Sequence, residues 1–112
     1  MAYDEVLAQR LRDALEGEPL LTEKKMFGGV GFMVGGNMAV AASSSGDLMV
    51  RVDPAQGREW LDGVDVRPME MGGRTMNGWL FVAIDTVASD EALQTWVDRG
   101  AGYARSLPPK QK

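Results

Sequence analysis

At 112 residues, the chain is long enough to enclose one hydrophobic core without disulfides or a structural metal, so we expect a single domain over residues 1–112. Sixteen acidic and twelve basic residues give a net charge of −4, and this average field disfavours direct binding to nucleic acid. The chain contains neither His nor Cys, which excludes thiol chemistry, disulfides and the commonest general base.

The chain begins with a predicted amphipathic helix over residues 4–16, in which apolar residues recur at spacings of three and four and which Gly17 ends. The first five residues carry two acidic residues and no basic one and lead directly into this helix, whereas a secretory signal would begin with basic residues and continue into an apolar block. No apolar run approaches the roughly 18 residues that span a bilayer. We therefore expect a cytoplasmic protein that does not enter a membrane.

Short strands separated by glycine-rich turns are predicted to follow this helix, and the last three of them form a three-stranded meander. These strands cover residues 24–27, 30–34, 38–42 and 48–52. The glycines within residues 28–31 suit a bulge or a close approach of two backbones. Residues 35–37 suit a tight hairpin, after which Met38, Val40 and Ala42 are expected to share one face of the returning strand.

A second helix is predicted to begin at Asp53-Pro54, because the carboxylate can accept orphan amide hydrogen bonds and proline sits where no donor is needed. This helix should carry Trp60 and Leu61 onto the core. Residues 66–69 can form only an edge strand or an extended segment, because their proline removes a donor from the ladder.

The C-terminal third of the chain contains one more predicted strand and one more predicted helix. Residues 79–85 are apolar on both faces, which predicts a strand in the middle of the sheet. Ser89 is expected to cap the final helix. Gly100 and Gly102 lie within that helix and weaken it, so a close helix contact or a kink is expected there.

Several spaced blocks of the sequence resemble the N-terminal domain of the TfoX/Sxy family, which is named for regulators of natural competence. The blocks are residues 25–32, 36–40, 48–52, 73–82, and 96–97 with 103–109. They contain the structural motif residues Lys25, Met26, Phe27, Gly28, Gly29, Gly31, Gly73, Gly78 and Trp79. The resemblance covers nearly the whole chain.

This resemblance implies an α+β fold, with an antiparallel sheet of about five strands in the order α-βββ-α-ββ-α and helices packed against it. It also implies a non-catalytic regulatory or protein-interaction role. No catalytic residues of the family carry over to this chain. Full-length competence regulators contain a second, helical domain, and the chain ends where that domain would begin, so we expect a stand-alone N-terminal domain.

Three methionines are the first candidates for a binding surface. Met33 and Met49 fall on the strand face opposite their bulky neighbours, so a partly exposed position is predicted for both. With Met38 they would form a contiguous apolar patch whose flexible thioethers can adapt to a partner. The predicted partner is another protein, a second copy of this chain, or both, whereas core filling is the simpler interpretation for most methionines.

Three arginines are the second group of candidates, Arg51, Arg67 and Arg74. Guanidinium groups on one sheet face could bind a carboxylate or phosphate in a bidentate manner. This alternative makes the protein a sensor of an anionic small molecule, or a weak enzyme, with a pocket between the sheet and a helix. The simpler interpretation is independent salt bridges with Asp65, Glu70 or Asp85.

Other motifs do not match the spacing of known sites. Val34 stands where a dinucleotide fingerprint needs glycine, and Asn37-Met38 replaces the lysine and hydroxyl pair of a phosphate loop. The acidic residues match no calcium loop, and no histidine completes a zinc or iron site. Helix caps and solvated turns are therefore predicted for Asp53, Asp62, Asp65 and Asp85. We expect no cofactor, no metal and no enzymatic activity.

Overall fold

The computed structural model describes residues 4–26, 29–44, 46–71 and 73–108. Within them lie three α-helices and one six-stranded antiparallel sheet, which confirms the predicted α+β class, with six strands where about five were expected. In chain order the elements are α1 Glu5–Ala14, β1 Leu21–Met26, β2 Gly29–Val34, β3 Asn37–Ala42, β4 Leu48–Arg51, α2 Pro54–Trp60, β5 Val66–Met71, β6 Arg74–Val82, a short 3-10 helix Ile84–Val87 and α3 Asp90–Ser106.

The sheet has the strand order β1-β2-β3-β4-β6-β5, and every neighbouring pair is antiparallel. The first four strands form a four-stranded meander where three strands were predicted. The edge position predicted for residues 66–69 is confirmed, since β5 pairs with β6 alone.

The prediction that residues 79–85 lie in the middle of the sheet is wrong, because β6 is second from an edge and ends at Val82. Apolar residues on both faces of a strand indicate contacts above and below it, and they do not set its place in the strand order.

A β-bulge interrupts the pairing of β2 with β3. Phe32 pairs with Val40 and Met33 pairs with Met38, so Ala39 is an extra residue on β3. Ala39 and Val40 consequently both face the main core, and Met38 faces the other side of the sheet. The prediction that Met38 shares a face with Val40 and Ala42 is therefore wrong, because strict alternation fails where a strand contains an extra residue.

The main hydrophobic core lies between one face of the sheet and the three helices. Its fully buried large side chains come from α1, the strands and α3, and include Leu7, Leu11, Phe32, Val40, Leu48, Val50, Leu80 and Val97. Trp60 and Leu61 are partly buried against this core, as predicted. Trp60 also meets Trp96 edge to face, with ring centroids 5.8 Å apart, which joins α2 to α3.

The tight turns of the meander agree with the glycine pattern where the structure describes them. Val34 pairs with Asn37, and the two residues between them close the predicted hairpin. A Cβ atom added to Gly29 would overlap the carbonyl oxygen of Ala42, which confirms the predicted close approach of two backbones. Phe27 and Gly28 lie outside the described residues.

The predicted helix caps are confirmed at both later helices. The Asp53 carboxylate accepts a hydrogen bond from the amide of Ala55 at 2.9 Å, and the Ser89 hydroxyl accepts one from the amide of Ala92 at 3.1 Å. Asp62 accepts hydrogen bonds from three backbone amides that lead into β5, the amide of Val66 foremost, and these lower the pKa of Asp62. These carboxylates therefore organise backbone turns.

An ion pair joins the edge strand β1 to helix α1. Arg12 Nε and Nη2 donate to the two carboxylate oxygens of Glu23 at 2.5 and 3.0 Å, and both side chains are 40% exposed. The hydrogen bond from Arg12 holds the pKa of Glu23 below its usual range.

Replacing Glu23 with glutamine is expected to lower the free energy of unfolding at neutral pH, by less than about 1 kcal/mol because the pair is exposed. The folded pKa of Glu23 is lowered, so the stabilisation is present above the unfolded value near 4.5 and is lost as the pH falls through the folded pKa. Denaturation of wild type and Glu23→Gln at neutral pH and well below pH 4.5 checks this. An equal difference between the two proteins at both pH values would contradict it.

Candidate interaction surface

A second apolar cluster occupies the face of the sheet that points away from the helices, called the open face below. Met38, Ala41 and Met49 form its buried centre, and Met33, Met69, Trp79 and Phe81 are partly exposed around them. All of these residues belong to strands β2 to β6. Among the described residues, the three helices pack on the opposite face, where their apolar residues join the main core.

Strand register explains how the sequence assembles this cluster. Met33 pairs with Met38 across β2 and β3, and Met49 lies between Ala41 of β3 and Phe81 of β6. Directly opposite residues point to the same side of a sheet, so alternation along each strand collects these side chains on one face. The bulge at Ala39 is what brings Met38 to this face instead of the main core.

The structure separates the three predicted methionines by exposure. Met33 is partly exposed, as predicted, whereas Met38 and Met49 are each 7% exposed. The predicted partial exposure of Met49 is wrong, because Met49 lies on a central strand with bulky neighbours on the same face. The exposed part of the cluster is instead supplied by Met33, Met69, Trp79 and Phe81. Met69 and Phe81 were not among the predicted binding residues, although the alternation of β5 and β6 could have indicated both.

The predicted arginines have different surroundings. Arg51 pairs in register with Trp79, and its guanidinium lies 5.1 Å from the Trp79 ring centroid and 5.6 Å from that of Tyr103. Arg67 forms an ion pair with Asp47 at 2.8 Å instead of the acids predicted for it. Asp47 lies in the loop before β4, so this ion pair joins two segments that are twenty residues apart in the sequence. The side chain of Arg74 lies outside the described residues.

Arg51 and Arg67 both occupy open-face positions, because their register partners Trp79 and Phe81 belong to the open-face cluster. Among the described residues Arg51 forms no ion pair, while the charge of Arg67 is compensated by Asp47. The two arginines thus lie on the same face of the sheet, but they do not converge on one anion-binding site.

Among the described residues, several surface grooves lie in the helix layer, and the three most marked of them are not lined by Arg51 or Arg67. One of about 650 Å³ lies between α2 and α3 and is lined in part by Asp53, Trp60 and Arg99. The Arg99 guanidinium is stacked 4.2 Å from the Trp60 ring centroid. These grooves therefore differ from the pocket that the arginine hypothesis requires.

Among the described residues, no group of carboxylates is arranged to hold a metal ion. None of the described helices has the length and apolar character needed to cross a membrane.

Comparison with known proteins gives one result. The model of the TfoX N-terminal domain matches residues 13–104, from within α1 to near the end of α3, and so includes all six strands. No curated protein and no solved structure matches the chain.

Proposed function

The chain belongs to the TfoX N-terminal domain family, and from this premise we propose that it is a non-catalytic protein-interaction module that binds its partner through the open face of the sheet. The observation that carries the proposal is an apolar cluster on the open face to which the described helices contribute no residue of their own, although Tyr103 of α3 reaches Arg51 beside it. The resemblance to competence regulators supports a regulatory use of this binding.

The chemistry of the open face suits protein recognition. Aromatic residues and methionine are enriched at protein interfaces, and a thioether adapts its shape to different partners. Met33, Met69, Trp79 and Phe81 offer such side chains in partial contact with solvent. A sheet with apolar residues on both faces is usually covered on both, so a partner would supply the missing layer.

A non-catalytic role is supported by the uses of the polar residues. The sequence lacks His and Cys, and Asp53 and Asp62 are engaged in capping backbone amides. Arg67 is paired with Asp47, and Arg51 is stacked on aromatic rings. These polar residues therefore make structural contacts, and they are not arranged as the acid and base groups of a proton-transfer site.

Met33→Asp is expected to reduce association with the native partner at least about tenfold, because a carboxylate would be desolvated inside an apolar interface. The measurement is quantitative affinity purification from native cell extract with mass spectrometry, followed by binding titration with the recovered partner. Circular dichroism should show an intact fold, since Met33 is on the surface.

Val6→Asp is the matched control for this experiment. Val6 is 70% exposed in the first turn of α1, on the helix layer, where an acidic residue is compatible with the helix N-terminus. This variant should retain the wild-type partners. Retention of the same partners by folded Met33→Asp would show that the open face is not the binding surface.

A further inference from the structure

One row of register partners crosses all six strands on the open face. It runs from β1 to β5 through Lys24, Gly31, Ala41, Met49, Phe81 and Arg67. A basic residue stands at each end, and small or apolar residues lie between them. The small side chains of the row are flanked by Met33 and Met38, so the centre of the face is an apolar floor.

The described strands place basic but not acidic residues at open-face positions, although the chain as a whole is acidic. The net charge of the chain is −4, yet Lys24, Arg51 and Arg67 all occupy open-face positions. The acidic residues within the described strands, Glu23 and Glu70, alternate onto the other face, where Glu23 meets Arg12 of α1. The basic charge is therefore concentrated around the apolar floor.

Two of these cations have no carboxylate partner among the described residues, Lys24 and Arg51. Lys24 is exposed on the edge strand, and the Arg51 guanidinium lies over the rings of Trp79 and Tyr103, 5.1 and 5.6 Å from their centroids. Stacking on rings leaves the guanidinium N–H donors free at the ring edges. Both cations can therefore meet carboxylates brought by a partner.

A second copy of the chain is a poor occupant of this face. A two-fold contact would place the open faces of both copies together, so basic residues would face basic residues. Asp47 could relieve this repulsion, but it already pairs with Arg67 and accepts a hydrogen bond from the amide of Ile84. Charge complementarity instead requires an acidic partner.

The dimensions and edges of the sheet favour a helix as the bound element. Five strand spacings separate Lys24 from Arg67, about 24 Å, which a helix of about 16 residues would cross. Strand addition is less suitable, because Pro68 removes a donor from β5 and β1 is lined with charged residues. The opposite face of the sheet is already covered by helices in the same way.

We infer that the open face binds an acidic amphipathic helix of another protein, with its apolar side on Met33, Phe81 and their neighbours and its carboxylates near Lys24 and Arg51. The inference rests on the proposed function and adds the chemistry of the partner. It also assigns to Lys24 a recognition role that its neighbour Lys25 lacks. Lys25 pairs with Val30 of the main core and so belongs to the other face.

Two synthetic amphipathic peptides with the same leucine positions test the inference, one with glutamates and one with lysines at the remaining positions. Binding of labelled peptide to the intact protein is measured by fluorescence anisotropy at low and high salt. The glutamate peptide should bind at least about tenfold more tightly than the lysine peptide, and salt should weaken its binding. Amide chemical shift changes in NMR spectra should map to the open face.

Lys24→Glu and Lys25→Glu are a matched pair of variants, since both residues are exposed neighbours on one edge strand. Reversing the charge at Lys24 should weaken binding of the glutamate peptide about threefold to tenfold, and reversal at Lys25 should change it less than about twofold. Both variants should retain the wild-type melting temperature within about 2 °C, because surface substitutions have small effects on stability.

Several outcomes would overturn the inference. They are binding of neither peptide, equal binding of both, equal effects of the two lysine variants, or preferential binding of a single-stranded oligonucleotide to the open face. Self-association of the wild type that Met33→Asp abolishes would assign the face to a second copy and leave the proposed function standing. Unchanged capture of native partners by Met33→Asp would instead refute the proposed function itself.

Discussion

Gly100→Ala is expected to destabilise the domain by about 1–3 kcal/mol, although alanine is normally the better residue inside a helix. A Cβ atom at Gly100 would overlap the carbonyl oxygen of Ala39 and lie 3.0 Å from Val40 Cγ1. Ala39 is the extra residue of the β3 bulge, so α3 rests directly on the backbone at the point where that strand bends. The methyl group must push the helix away from the sheet.

Gly102→Ala is the control in the same helix, two residues further on. Apart from the nearby backbone of α3 itself, no described atom lies within 4 Å of a Cβ built at Gly102, so the methyl group meets no obstacle. This variant should gain about 0.5–1 kcal/mol, because alanine loses less backbone entropy in a helix than glycine. Chemical denaturation should therefore move the two midpoints in opposite directions. Stabilisation by both substitutions would mean that α3 is not held against β3 at this distance.

Gly78→Ala is expected to cost about 2–5 kcal/mol. Gly78 has a φ of +83°, and its added Cβ would lie 2.6 Å from the carbonyl oxygen of Val52. Both backbones are fixed there, since the amide of Val52 donates to the carbonyl of Gly78 at 2.7 Å. Alanine would thus meet an unfavourable backbone conformation and a steric clash together.

Gly73→Ala separates these two costs. Gly73 has nearly the same φ, +79°, in the turn between β5 and β6, and apart from its chain neighbours no described atom lies within 4 Å of its added Cβ. This variant should lose only the conformational part, about 1–2 kcal/mol. Thermal and chemical denaturation of both variants give the comparison. Equal losses at the two glycines would show that contact with Val52 contributes nothing.

Local features of the fold were predictable because they depend on neighbouring residues. Asp53-Pro54 and Ser89 were correctly identified as helix starts, since a cap requires a side-chain acceptor within two or three residues of the amides it serves. The close contact at Gly100 was also correctly expected, as a glycine inside an apolar helical stripe is costly without a packing reason. The same expectation failed for Gly102, where the structure leaves open space.

The candidate site was only partly predictable. Alternation correctly separated Met33 and Met49 from the main core, because the period of a strand is a local property. Alternation failed for Met38, since one extra residue in the bulge shifts the period, and it could not show that Met49 is buried by its neighbours. The partner of Arg67 was missed because Asp47 lies twenty residues away in sequence.

The family, the α+β class and the positions where helices and turns begin were predictable from the amino-acid sequence, because sterics and capping act between residues that are close along the chain. That Lys24, Arg51 and the aromatic residues of β6 lie on one face, around an apolar cluster to which the described helices contribute no residue, follows from the tertiary structure alone. The exposure and the charge environment of a side chain depend on strand register, on the bulge at Ala39 and on the face of the sheet against which the helices pack. These features are set by contacts between distant segments of the chain.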